Sequence, residues 1–128
     1  MKNLLLAITF MFISEQIFSQ TITLGSLSSS NYCLGNTISV PFTSTGFSSG
    51  TSYTVTLRKG ATVINTANST ASPINIYIPY IQSAVYGTDY TVQISSGSTS
   101  SLVSPNLTIG SITSVEITDV NNRSIYTS

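Results

Sequence analysis

The chain has 128 residues, room for one domain, and a formal net charge of zero with 6% charged residues, against roughly 25% in an ordinary soluble domain. Hydrophobic residues make up 41%, and Ser with Thr supply roughly a third of the positions, a composition unlike the charged, hydrophobe-poor one of disorder. The one basic pair is Arg58-Lys59, too few cations to displace the counterions of a phosphate backbone, so nucleic acid is excluded as a partner.

Met1-Lys2 makes a short positive start, Leu4 to Ile13 an apolar core, and Phe18-Ser19-Gln20 a cleavage zone with small Ser19. That layout predicts an export signal peptide over residues 1–20. About ten apolar residues ending at Ser14-Glu15 fall short of the roughly 20 needed to cross a bilayer, so no membrane span is expected in the mature chain. The expectation is a secreted or cell-surface protein. No lipobox-like cysteine follows the apolar core, so no lipid anchor is expected.

From residue 21 to 110 the pattern is that of one all-β domain. Thr21-Ile22-Thr23-Leu24 alternates as a first edge strand, and Ser26 to Asn31 reads as a polar loop. Gly35-Asn36 supplies a turn into the most regular stretch, 37–43, where Ile38, Val40 and Phe42 share one face. Pro41 interrupts it and has no N–H for a ladder, so its position must meet an open edge, a bulge or solvent. After a Ser/Gly-rich loop, Tyr53, Val55 and Leu57 alternate inward, closed by Arg58-Lys59-Gly60. Val63-Ile64 reads as a short strand before a polar run from Asn65 to Ser72, and Ile74, Ile76 and Ile78 alternate until Pro79. Tyr90, Val92 and Ile94 form the next inward row, Ser95 to Ser101 a turn, and Leu102-Val103 with Leu107 and Ile109 complete the set around Pro105. About seven short strands at roughly ten-residue spacing predict a β-sandwich.

Cys33 is the single cysteine, so no disulfide can form within one chain. With no His in the sequence and no cation beside it, nothing activates the thiol, and it reads as a buried, inert small hydrophobe. An intermolecular disulfide or a reactive thiol is the other reading of the same residue.

The stretch from Tyr32-Cys33-Leu34-Gly35 through Phe42, with Tyr53 to Leu57 and Gly87 to Ile94, resembles the immunoglobulin-like repeats of secreted and cell-surface Bacteroidetes proteins over about residues 22–109. The resemblance implies an immunoglobulin-like antiparallel β-sandwich that displays or spaces other modules outside the cell. In such folds a tyrosine stands two residues before the second core cysteine and bonds back to backbone. Tyr90 matches that tyrosine and Val92 replaces the cysteine, so the inter-sheet disulfide is absent. The tail over 111–128, with Ile112, Val115, Ile117, Asp119, Arg123 and Tyr126, is similar to the middle of the C-terminal sorting domain read by the type IX secretion system. Asn122 stands where that family usually has Gly, and the family's opening and final segments lack counterparts. Read without the resemblance, Val115 and Ile117 pair with Ile125 as a hairpin across Asn121-Asn122, adding strands to the sandwich or beginning a second repeat.

Chemistry finds little footing. Beyond the signal the acids are Asp89, Glu116 and Asp119, and general acid–base or nucleophilic work lacks a positioned base. Asp119-Val120-Asn121 lacks the downstream Gly and Glu of a calcium loop. No catalytic residue, metal or cofactor is expected. Tyr77 should face away from Ile76 and Ile78, with Tyr80 and Tyr86 flanking the next loop, and such rings can stack on a sugar or anchor a protein. The expected function is a non-enzymatic, exported structural or adhesive module whose partners are surface proteins or glycans. The alternatives are a carbohydrate-binding module using Tyr77, Tyr80 and Tyr86, or a fragment of a longer multi-repeat adhesin.

Overall fold

The computed structural model describes residues 19–81 and 86–110, together with the strand backbone at 117–118 and 124–125. The predicted signal peptide lies outside these residues apart from Ser19 and Gln20, as does most of the tail. The elements are β1 (Thr21–Leu24), β2 (Asn31–Cys33), β3 (Thr37–Val40), β4 (Phe42–Thr45), β5 (Tyr53–Lys59), β6 (Thr62–Ser69), β7 (Ile74–Tyr77), β8 (Gly87–Ser96), β9 (Thr99–Ser100), β10 (Leu107–Gly110), β11 (Ile117–Thr118) and β12 (Ser124–Ile125). The domain is all-β. In the tail, Ile117 lies opposite Ile125 and Thr118 opposite Ser124; the turn between them is outside the described residues.

β3 and β4 are one alternating stretch divided at Pro41, and the division follows from which way each backbone group points. Asn36 and Ile78 are joined by an Ile78 N–H to Asn36 O bond of 2.9 Å, which sets the even-numbered residues to face β7 across the Ile38↔Ile76 and Val40↔Ile74 pairs. Gly25 N–H donates to Pro41 O at 2.8 Å, so the odd-numbered residues face β1 through Thr43↔Thr23 and Thr45↔Thr21. The two neighbours therefore flank the stretch on opposite sides, because paired residues in an antiparallel ladder alternate between exchanging bonds and turning their backs. Pro41 falls at the last rung on the β1 side, where its missing N–H costs one bond at the end of the ladder. On the other side, Phe42 N–H continues past β7 to the Ser72 hydroxyl at 2.9 Å.

The second layer runs β2-β10-β8-β5-β6, with β9 also on β8. Its strands are antiparallel except β2, which lies parallel to β10 through Ile109↔Tyr32. The sequence reading placed 26–31 in a polar loop and missed this edge strand, since three residues are too few to show a period. The polar run after Ile64 is also a strand: β6 continues to Ser69 opposite Tyr53, because pairing to β5 and inward Ile64 suffice at an edge whose other face is wet. The predicted inward rows at 38–42, 53–57, 74–78 and 90–94, with Leu107 and Ile109, are buried, joined by Ile22 and Ile64. All of them belong to one hydrophobic cluster shared by both layers, an arrangement consistent with a β-sandwich. At the β6/β7 side Asn65 Nδ2 donates to Tyr77 O at 2.8 Å, tying one layer to the other.

The largest departure from the sequence reading is at 101–106, where a strand with Leu102 and Val103 was expected. The segment is not a strand; Leu102 is 88% exposed and Val103 52%, while Ser101 and Ser104 are buried. Ser101 N–H donates to Ile94 O at 2.8 Å and Ser104 N–H to Val92 O at 2.9 Å. In return, Ile94 N–H donates to the Ser101 hydroxyl at 3.1 Å and Val92 N–H to the Ser104 hydroxyl at 3.0 Å. Leu107 then pairs with Tyr90. Inward positions 101, 104 and 107 thus advance by three while Ile94, Val92 and Tyr90 advance by two, two successive one-residue bulges. At each, a serine oxygen takes the place of a backbone carbonyl that has turned away.

Ser104→Ala leaves the buried Val92 N–H without an acceptor, and should lower stability by about 1–3 kcal/mol in denaturant melts. Leu102→Ser, on the exposed loop between the two serines, should stay within about 0.5 kcal/mol of the native chain.

Candidate functional site

Three tyrosines singled out as ligand contacts, Tyr77, Tyr80 and Tyr86, are all exposed. They lie at the end of the fold where β3 begins, β7 finishes and β8 begins. Tyr77 sits opposite Thr37 on the outer face of its pair. Tyr80 lies over Gly35: a Cβ there would come within 2.6 Å of Tyr80 ring carbons and closer still to its hydroxyl, and Gly35 has a φ of +82°. Both reasons call for glycine. The turn beneath is closed by Gly35 N–H to Ile78 O at 2.8 Å and by Cys33 N–H to Asn36 Oδ1 at 3.0 Å.

Tyr86 is held differently. Its carbonyl accepts a bond from Lys59 Nζ at 3.3 Å, and the same ammonium stands 5.6 Å above the Tyr90 ring, within cation–π range. No ring contact joins any two of Tyr77, Tyr80 and Tyr86; among the described residues the ring pairs are Phe42–Tyr53 and Phe47–Tyr53. The three tyrosines share one end of the molecule, and they do not form a common stacking platform.

Tyr90 is fully buried. Burial, and secondarily the Asp89 carboxylate, holds its phenol above the usual tyrosine range. The backbone a few residues upstream, where a corner hydrogen bond would land, is outside the described residues. Cys33 is a free cysteine, half-buried rather than buried as expected, because it ends the edge strand β2 beside Gly110 of β10. Among the described residues no group of three or more His, Cys, Asp or Glu could hold a metal ion.

Two concavities were not foreseen. One, of about 300 Å³, lies at the opposite end beside Phe42, Phe47 and Tyr53, rimmed by Ser and Thr; the Ser44 and Tyr53 hydroxyls bond at 2.7 Å across it. The other is a groove of about 560 Å³ between residues 22–30 and 102–107. Its apolar residues include Leu24, Leu27, Leu102 and Leu107, and no charged residue lines it. The spacing of Ser101, Ser104 and Leu107 was the available signal for this groove, legible only once two bulges are allowed in the last strand.

The raised Tyr90 pKa fixes the sign of an alkaline effect. The unfolded chain loses the phenol proton near the usual value of about 10 and the folded chain only above it. Stability from this group is intact below about pH 10 and is lost as pH rises through the folded value. Tyr90→Phe should flatten the alkaline decline in denaturant melts, and at neutral pH should cost about 1 kcal/mol through the lost hydroxyl bond. Compared with protein-family models, with curated proteins and with solved structures, the chain matches none of them.

Proposed function

We propose that this chain is an exported, non-enzymatic, immunoglobulin-like module with a structural or adhesive role at the bacterial cell surface. The observation that carries the reading is the connectivity. The chain leaves one layer after β1, crosses through 25–30, and enters the other as β2, parallel to β10. The layers are then β1-β4 with β3-β7, and β2-β10-β8-β5-β6, the division of short strands into two packed sheets that such sandwiches use. Tyr90 supports the same reading, buried in β8 two residues before Val92, where the tyrosine of these folds stands before the core cysteine. Export rests on the apolar stretch 4–13 behind Lys2, and sorting by a type IX system on the tail's likeness to that signal. The non-enzymatic part rests on a sequence with no His and few acids.

The location of the protein tests this reading. The native chain should be found at the cell surface or in the medium, and a chain lacking 111–128 should be retained in the periplasm; a native chain found in the cytosol overturns it. Immunoblots of fractionated cells read the outcome.

A second reading, glycan binding, is favoured by the exposure of Tyr77, Tyr80 and Tyr86 at one end, where their rings are open to stack on sugar faces. A glycan array decides it, with the triple Tyr→Ala variant as control. Reproducible binding that the variant loses would make the domain a carbohydrate-binding module.

A further inference from the structure

We propose that residues 26–34, which carry β2, form a hinged flap that opens and closes over β10 while the rest of the domain stays folded. This movement goes beyond the surface-module reading and does not depend on where the protein resides.

Burial marks the segment out. The hydrophobic cluster takes in Ile22 and next Ile38, and no residue from Thr23 to Thr37 is fully buried. Within 26–34 only Leu27, Tyr32, Cys33 and Leu34 are half-buried, and the others are exposed. A segment with so little buried surface opens at a free energy well below that of global unfolding. The support beneath it is incomplete along both halves. The groove of about 560 Å³ lies between Ser26, Leu27, Ser29 and Ser30 on one side and 102–107 on the other, so the first half stands off from the chain behind it. Under the second half, the Tyr32 hydroxyl is buried and among the described residues has no hydrogen-bond partner. A buried phenol without a partner favours whichever state brings it to water.

Both ends of the flap are fixed to the first layer. Before it, Gly25 N–H donates to Pro41 O at 2.8 Å. After it, Gly35 N–H donates to Ile78 O at 2.8 Å and Ile78 N–H to Asn36 O at 2.9 Å. The chain between these two anchors can swing without disturbing β1, β3 or β7.

Few bonds oppose the swing. Among the described residues β2 pairs with β10 alone, and Thr108 N–H donates to Ser30 O at 2.8 Å. In this parallel pairing Tyr32 turns its backbone groups toward β10, and Asn31 and Cys33 turn theirs away. The groups turned away are bonded within the flap and its hinge. Asn31 N–H donates to Ser29 Oγ, and that hydroxyl donates to Asn31 O, each at 2.9 Å. Cys33 N–H donates to Asn36 Oδ1 at 3.0 Å, and Asn36 N–H to Cys33 O at 3.1 Å. These local bonds travel with the flap, so opening breaks the short ladder to β10 and unpacks Leu27, Tyr32 and Leu34. It bares the β10 edge at Thr108 and the thiol of Cys33, which lies beside Gly110 when closed. The closed flap thus guards the edge of the second layer, and the open one presents that edge for pairing.

Amide hydrogen exchange and thiol labelling of the intact chain test the proposal. Thr108 N–H should be protected at least about tenfold less than Val92 N–H, and low denaturant should leave its exchange nearly unchanged. Val92 N–H, bonded to Ser104 inside the domain, should follow global unfolding. Cys33 should react with a thiol reagent with the same weak denaturant dependence as Thr108. Tyr32→Phe keeps the ring and removes the orphan hydroxyl, and should slow Thr108 exchange and Cys33 labelling by about tenfold. Equal protection and equal denaturant dependence at Thr108 and Val92 overturn the proposal, since β2 then leaves only when the whole domain unfolds. A Thr108 or Cys33 rate that Tyr32→Phe leaves unchanged overturns it as well. The comparison of Thr108 with Val92 in the native chain decides the matter even if the variant fails to fold.

Discussion

Val92 and Ile94 each bring an amide into the middle of the domain, and the structure turns on how those two groups are bonded. A buried N–H without an acceptor costs about as much as a good hydrogen bond contributes, several times over when the site is dry. A regular last strand would meet both amides with backbone carbonyls and keep its own side chains in period two. Here two serine hydroxyls meet them instead, and each serine passes its own proton to a following carbonyl, Ser101 to Leu102 O at 2.8 Å and Ser104 to Pro105 O at 2.9 Å. The polar account closes locally. With it closed, the chain between the serines is free to arch away, and Leu102 and Val103 go with it.

That substitution explains which parts of the fold were legible in the sequence. Period two identifies a buried row wherever the ladder is regular, so Ile38, Val40 and Phe42, or Tyr90, Val92 and Ile94, could be assigned by inspection. Where the last strand inserts an extra residue twice, apolar Leu102 and Val103 look like core and buried Ser101 and Ser104 look like turn. Polarity and burial are reversed there, and no alternation rule recovers them. Two other misses have simpler causes. β2 is three residues long and owes its existence to β10, which runs beside it. The second half of β6 is held by its pairing to β5, so Asn65, Thr66 and Asn68 need no apolar pattern. Residue 41 was legible as an interruption, while which neighbour lay on which side of it was not.

The candidate sites divide along the same line. Tyr77, Tyr80 and Tyr86 could be picked out because each sits next to a clear pattern, one beside Ile76 and Ile78 and two flanking the loop that follows. Their arrangement could not be, since it depends on Tyr80 lying over a glycine in another turn and on Lys59 reaching the Tyr86 carbonyl. The groove along β1 depends wholly on the bulges. Its one sequence signal, the spacing of Ser101, Ser104 and Leu107, reads only once those bulges are allowed, because its apolar residues come from a strand end, a loop and an arch, in three different registers.

The two sides of the fold then differ in a way that low charge makes consequential. With few charged side chains available, an exposed strand cannot rely on lysines to discourage pairing, and other devices must serve. On the β6/β7 side a side-chain amide from one layer caps a carbonyl of the other, and the gap is filled from within. On the β1 side the arch at 102–103 holds the last strand away from the first, the tie between Thr99 and Gln20 spans a long 3.5 Å, and the gap remains as a groove. Straightening the arch would require Ser101 and Ser104 to surrender the two amides they now hold, so the groove beside it is a consequence of how Val92 and Ile94 are bonded.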